Sequence, residues 1–331
     1  MSWDEFGLIS ERFRPLSVGE PGAFALTDDA AVLAAAPGCD WVVTADALVA
    51  GVHFFADDPP GLIAAKALRV NLSDLAAMGA VPRAVFMTCA FPETLDRAWL
   101  AAFAEGLGAD LKAFGVTLAG GDVVATPGPL CLSITAIGEA KGGRVLRRNG
   151  VRAGDILAVT GTIGDAALGL DAQGPEAPQV LDAASREFLI GRYRLPQPRL
   201  VAGRILNGRA HAALDVSDGL LADLRHLAET SCVDIVVDPA RVPRSDAARA
   251  WLELRPAALD RVLTGGDDYE LAFSCAPEDF AEIAALLDGE GVRATAIGRA
   301  EAGEGRLYRI DSGERRPVEG AGGHRHGGEA R

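Results

Sequence analysis

The chain's patterning predicts a mixed α/β (α+β) protein of two domains. Three observations carry that expectation. The length is 331 residues, more than a single domain of ordinary size needs. Short β-rich runs alternate with apolar stripes at helical spacing through both halves. Between the halves, Gly142 to Gly154 is a Gly/Arg-rich connection that neither pattern crosses. The expected division is residues 1–141, residues 142–312, and a tail of 313–331. That tail ends GAGGHRHGGEAR, has almost nothing to bury, and is expected to be disordered.

In the first half, Trp41–Thr44 reads as a strand and Ile63–Met78 as an Ala-rich helix. Arg83–Ala90 is continuous and β-rich. Leu95, Trp99, Phe103, Leu107 and Leu111 then recur every fourth residue, which places one apolar stripe on a long helix. Val116–Ala119 and Leu130–Ile137 supply two further strands. In the second half, strand Ile156–Thr160 runs into a glycine turn, Gly161–Gly164, that resembles a phosphate-cradling turn at a helix start. A polar stretch at 171–187 reads as a loop. Strands then follow at Ala212–Val216, Val233–Val237 and Glu270–Cys275, and near 292–298 and 306–310, with helices at Gly219–Glu229 and near 277–288.

Composition narrows the function. Thirty-two Lys+Arg face 46 Asp+Glu, a formal charge of −14, which argues against a nucleic-acid partner because phosphate neutralisation needs a basic face. No apolar run approaches the ~18 residues of a membrane span, and the opening MSWDEFGLISERF has no apolar signal core. Five scattered cysteines without a C-x-x-C pair suit reduced thiols, and a cytoplasmic location is expected.

Aspartates recur where strands are expected to end and at tight turns: Asp28-Asp29, Asp46, Asp74, Asp122 after Gly120-Gly121, Asp215 and Asp218, and Asp267-Asp268 after Gly265-Gly266. Singly, each serves as a helix cap or turn former. Gathered, they repel: two unit charges ~4 Å apart cost about 4 kcal/mol at an effective dielectric of 20. Cations relieve that, and all-oxygen donors select Mg²⁺, which binds through a few carboxylates plus substrate phosphates. No Walker, dinucleotide-binding or protein-kinase motif occurs.

Seven stretches together resemble the thiamine-monophosphate kinase family, within the ATP-dependent superfamily of aminoimidazole ribonucleotide synthase. They are Thr27–Val32 (TDDAAV), Thr44–Phe54 (TADALVAGVHF), Lys66–Ala80 (KALRVNLSDLAAMGA), Gly120–Asp122 (GGD), Gly143–Arg148 (GRVLRR), Asp215–Leu220 (DVSDGL) and Gly265–Leu271 (GGDDYEL), in family order over nearly the whole chain. The resemblance implies a synthase-like two-domain fold and ATP-dependent phosphorylation of thiamine monophosphate to thiamine diphosphate. It also implies several Mg²⁺ ions and a homodimer joined through N-terminal sheets. Position by position, it makes Asp29, Thr44, Asp46, Asp74, Asp122, Asp215 and Asp218 metal ligands. Gly121, Asp122, Arg148 and Ser217 would contact ATP, and His53 and Asp267 the thiamine phosphate. No general base is assigned.

Five departures from the family pattern stand out. Thr27 replaces a Gly, Ala45 a Thr, Val123-Val124 a Thr-Thr pair and Asp267 a Glu. The C-terminal Gly-aromatic-x-His-Phe segment reads Gly322-Gly-His-Arg-His326 here. Either His324 or His326 covers the thiamine or that contact is missing. Two alternatives to the kinase reading are a non-catalytic Mg²⁺/nucleotide sensor and another ATP-dependent synthase of the superfamily.

Overall fold

The computed structural model describes residues 5–26, 33, 36–175, 177–178 and 180–319. They form two compact units. One holds the described residues through Leu75 plus Ala80–Gly143, and the other holds Ala76–Gly79 and the described residues from Arg144 onward.

The first unit opens with a short helix α1 (Glu5–Leu8) and helical turns through Leu26. A four-stranded sheet follows, built from β1 (Cys39–Val49), β2 (Val81–Pro92), β3 (Thr117–Thr126) and β4 (Cys131–Lys141) in the order β1-β4-β2-β3. β4 pairs antiparallel with both β1 and β2, while β2 and β3 are parallel. Parallel neighbours need a crossover, and the helix between them supplies it. That helix, α3 (Arg97–Phe114), starts where Asp96 accepts the Trp99 N–H at 2.8 Å and stops at Gly115. Phe103, Leu107 and Leu111 of the expected stripe are buried, and Phe91 meets Trp99 and Phe103 edge-on. Leu95 lies before the helix, so the stripe begins at Trp99. Helix α2 (Pro60–Ala77) carries Ile63, Leu68, Leu72 and Leu75 into the core.

Two strands run further than their apolar patterns indicate. β1 pairs with β4 over eleven residues and takes in Asp46, while β3 continues through Gly120-Gly121-Asp122 to Thr126. Asp46 and Asp122 therefore sit inside edge strands rather than at strand ends, because backbone pairing tolerates exposed polar residues. Gly121 is required there. Its φ is 154°, and a Cβ would lie 1.9 Å from the Met87 carbonyl oxygen.

The second unit is a seven-stranded sheet in the order β11-β10-β7-β9-β5-β8-β6. Its strands are β5 (Ile156–Thr160), β6 (Ala212–Asp215), β7 (Val233–Val237), β8 (Leu271–Cys275), β9 (Ala294–Ala302), β10 (Leu307–Asp311) and β11 (Glu314–Pro317). The seven helices are α4 (Asp165–Asp171), α5 (Ala183–Arg194), α6 (Leu200–Leu206), α7 (Leu220–Ser231), α8 (Asp246–Leu254), α9 (Leu259–Thr264) and α10 (Phe280–Gly289). Both sheet faces are covered, which explains the continuous apolar strands. Leu157 and Val159 pack with Leu220, Leu224 and Leu227 of α7, while Ala158 and Phe273 pack with Leu206, Ile283 and Leu287.

The structure corrects two expectations here. The end of the 171–187 stretch starts α5, capped by Asp182 accepting the Ser185 N–H at 2.8 Å. Glu314–Pro317, inside the tail expected to be disordered, is an edge strand antiparallel to β10. Its residues are exposed, so backbone pairing and the Arg315 contacts to Glu301 and Asp234 hold it, not an apolar pattern. The rest of the tail from Gly320, with His324 and His326, lies outside the described residues. Among the described residues no helix is long and apolar enough to cross a membrane.

Candidate active site

Each unit brings several of the singled-out residues together. In the first unit, the Thr44 hydroxyl on β1 donates to the Asp74 carboxylate on α2 at 2.5 Å. Two residues along β1, the Asp46 N–H donates to Asn71 Oδ1 at 3.0 Å, and the wholly buried Asn71 amide donates on to the Ala67 carbonyl. The Asn71 and Asp74 side chains, three residues apart on one helix face, thus dock the edge strand. Asn71 had no role assigned from sequence, although its place three residues before Asp74 was the available signal.

His53 sits in the turn after β1. Its Nδ1 accepts the Val49 N–H at 2.9 Å, so that nitrogen carries no proton and Nε2 is the donor of the neutral ring. The buried Lys66 ammonium donates to the His53 carbonyl at 2.9 Å. The ring is thereby held with one nitrogen committed to the fold.

Gly121 and Asp122 lie elsewhere on the sheet. The register runs Asp46–Ile134–Met87–Gly121, so three strand spacings separate the two edges, about 14 Å. Thr44 and Asp46 face α2, whereas Asp122 pairs with Thr88 on the opposite sheet face. One chain's sheet therefore does not bring Asp122 to Asp74. Among the described residues no three His, Cys, Asp or Glu side chains converge to hold a metal. Asp29 and its neighbours Thr27 and Asp28 lie outside them. Thr44, Asp46 and Asp74 offer oxygen donors only. Since Mg²⁺ uses one or two carboxylates and completes its shell with water and phosphate, this donor set fits that ion.

In the second unit two loops are laced together. β6 ends at Asp215, and Val216–Gly219 leads into α7; facing it, Gly265–Glu270 leads into β8. The Val216 N–H donates to the Glu270 carbonyl at 2.7 Å, the Tyr269 N–H to the Val216 carbonyl at 2.8 Å, and the Asp267 N–H to the Ser217 carbonyl at 2.9 Å. Gly266 allows this approach, because a Cβ there would stand 2.2 Å from the Ser217 carbonyl oxygen. Ser217 and Asp267, far apart in sequence, are thus neighbours.

Below Ser217, Asp223 in the first turn of α7 accepts the Asp218 and Gly219 N–H groups, each at 3.1 Å. Burial first, then the Asp215 and Asp218 charges, push its carboxyl well above the ordinary range, and Arg148 opposes them. Asp215, Asp218, Asp223 and Arg148 therefore share one electrostatic neighbourhood, in which Asp223 had gone unremarked in the sequence. An acidic focus that disfavours its own ionisation suits a cation.

The Gly161–Gly164 turn is not a phosphate cradle. The Gly164 and Ala166 N–H groups donate to the buried Asp268 carboxylate at 2.6 and 3.1 Å, and the Gly161 and Ile163 N–H groups are taken by the Arg293 and Pro243 carbonyls. The group that occupies the start of α4 is the protein's own carboxyl. Burial raises the Asp268 carboxyl to about 8.

Comparison with known proteins matches both units. Residues 27–140 fit the AIR synthase related protein N-terminal domain and residues 152–309 its C-terminal domain. A thiamine-monophosphate kinase of Caulobacter vibrioides is 43% identical over 304 residues, 91% of this chain and 85% of that protein. The crystal structure of thiamine-monophosphate kinase from Stenotrophomonas maltophilia superposes with a TM-score of 0.83 at 41% identity, covering 95% of this chain and 98% of that one. A structure described as AaThiL complexed with AMPPCP and TMP gives a TM-score of 0.76 at 29% identity, covering 96% of each chain. The chain belongs to the AIR synthase related proteins and, among them, to the thiamine-monophosphate kinases.

Proposed function

We propose that this protein transfers the γ-phosphate of ATP directly, in line, to thiamine monophosphate and releases thiamine diphosphate. The observation that carries this reading is the kinship to a thiamine-monophosphate kinase over 91% of the chain. The laced loops that set Ser217 beside Asp267 support it, since the sequence resemblance assigns these two residues to the nucleotide and to the acceptor.

The acceptor is a phosphate monoester, largely dianionic at pH 7 because its second pKa is ~6. A nucleophile already ionised needs no base, and none of the residues is given that role. The difficulty is charge: a dianion must approach a polyanion. Bound Mg²⁺ would neutralise that repulsion and orient the reacting oxygens. Thr44, Asp46 and Asp74 would hold one ion, with Asp29 completing the set from the sequence resemblance. Asp122 would serve a separate ion, and Asp215 and Asp218 a third position. Arg148 presents a planar guanidinium suited to phosphate, Ser217 and Gly121 approach the nucleotide, and His53 and Asp267 contact the acceptor.

A homodimer belongs to the same proposal. The sheet face turned away from α2 exposes Trp41, Val43, Val81 and Val124 at 37, 59, 44 and 44%. Large apolar side chains that stay exposed on one sheet face among the described residues suit burial against a second copy of the chain.

Purified protein incubated with ATP, Mg²⁺ and thiamine monophosphate should yield thiamine diphosphate by chromatography, and chelation should abolish the product. Nucleotide binding without turnover would replace the kinase with a sensor.

A further inference from the structure

We propose that Asp268 is a positioning residue for the acceptor, holding Asp267 in its working conformation from beneath the loop. The inference rests on the kinase reading for the role of Asp267 and deepens it.

Residues 267–270 alternate in a regular way. Asp267 and Tyr269 have φ of 73° and 51°, left-handed backbone that non-glycine residues adopt only under constraint. Between and after them, Asp268 and Glu270 are 1% and 0% exposed. The two inward carboxylates are the constraint. Glu270 receives the Arg192 guanidinium at 2.9 Å, Arg199 through two nitrogens at 2.6 and 2.5 Å, and the Thr160 hydroxyl at 2.7 Å. Thr160 in turn accepts the Leu271 N–H at 2.8 Å, which fixes the start of β8. Asp268 binds the Gly164 and Ala166 N–H groups at the start of α4, and Arg192 reaches its carbonyl at 3.4 Å.

With 268 and 270 anchored inward, the outward residues have little freedom. The Asp267 N–H is tied to Ser217, the Tyr269 N–H to Val216, and the Tyr269 hydroxyl donates to Asp267 Oδ1 at 3.3 Å. Asp267 is one methylene shorter than the family's Glu, so the backbone must carry it to the acceptor with little reach to spare. Glu270 secures the strand behind the loop, whereas Asp268 is adjacent to Asp267 and is the anchor whose loss frees that residue. Burial works against the charged form of Asp268, so folding gains little from it, as expected of a side chain that serves positioning rather than stability.

The test is a double-mutant cycle with an activity-independent readout. Asp268→Ala should raise KM for thiamine monophosphate about tenfold with KM for ATP within twofold. In an Asp267→Ala background the same substitution should change neither. Amide hydrogen exchange at Asp267 and Tyr269 should quicken about tenfold in Asp268→Ala while Ala158 and Val159 of β5 keep their protection. Asp268→Asn, which keeps one acceptor oxygen, should restore part of both effects, and it serves as the variant if the alanine does not fold. Additive effects in the cycle, equal rises in both KM values, or unchanged exchange would overturn the positioning role. If the wild type makes no thiamine diphosphate, the kinase reading falls, while the exchange result still decides whether Asp268 holds the loop.

Discussion

Asp268 also predicts how stability should depend on pH. Its carboxyl stands at about 8 against 3.8 when solvated, with burial the main cause and the Asp165 charge adding to it; the two N–H bonds and Arg192 pull the other way. A carboxyl raised on folding keeps its proton in the native state where the unfolded chain has already lost it. Stability from this group is therefore complete below pH 4 and falls as pH rises toward 8, where both states are ionised. Each unit is about 1.4 kcal/mol, so the full window is about 5–6 kcal/mol as a ceiling. Asparagine mimics the protonated acid at every pH and removes the slope. Between pH 5 and 8 the Asp268→Asn variant should gain on the wild type by about 2–4 kcal/mol, allowing for relaxation of the site. At about 2–4 °C per kcal/mol that is a relative rise in Tm of at least about 4 °C. Thermal unfolding of both proteins, followed by near-ultraviolet circular dichroism at pH 5 and pH 8, reads it directly. A Tm difference between variant and wild type that does not change with pH would refute the reasoning, because it would mean that Asp268 is ionised throughout.

Four further outcomes are expected. Asp74→Ala removes the partner of the Thr44 hydroxyl and a proposed Mg²⁺ ligand; turnover should fall about 100-fold or more while the lost hydrogen bond costs only about 1 kcal/mol of stability, and an active variant would take Asp74 out of the site. Gly121→Ala forces a Cβ to within 1.9 Å of the Met87 carbonyl oxygen, and should cost about 1–3 kcal/mol in urea unfolding, whereas an unchanged midpoint would contradict the β2–β3 register. Asp110→Ala takes the carboxylate from a doubly bonded pair with Arg69, both side chains 11% exposed, and should destabilise by about 3–5 kcal/mol on the same measurement; a loss under 1 kcal/mol would show that water reaches the guanidinium. Val43→Lys puts a charge on the sheet face where Val43 is exposed and should shift sedimentation from dimer to monomer, and an unaltered mass would remove that face from the interface.

How much of this was readable beforehand varies from residue to residue. Phe103, Leu107 and Leu111 declared α3 because burial of one helix face repeats every three to four residues. β7 and β8 were equally plain, each a mostly apolar run, broken by Asp234 and Ser274, whose residues are all buried. β11 gave no such sign, since Glu314–Pro317 is exposed throughout and is held by a neighbour's backbone. Among the chemical residues, Asp215 at a strand end and the Ser217–Asp218 turn were visible as local patterns. Asp223 and Asn71 were not, for their meaning depends on which backbone groups arrive beside them.

Apolar spacing and short turn motifs are local properties. From them alone came the alternation of strands and helices and the inventory of acidic side chains. Partnership is not local. The donors of the Gly161–Gly164 turn looked available for a phosphate until the fold brought Asp268 to them from 104 residues away. Asp46 and Asp122 looked like companions until the strand order set them on opposite edges and faces of one sheet. Chemistry of this kind is assigned by chain topology, because a hydrogen bond or a shared cation needs its atoms within about 3 Å, and only the folded chain sets that distance.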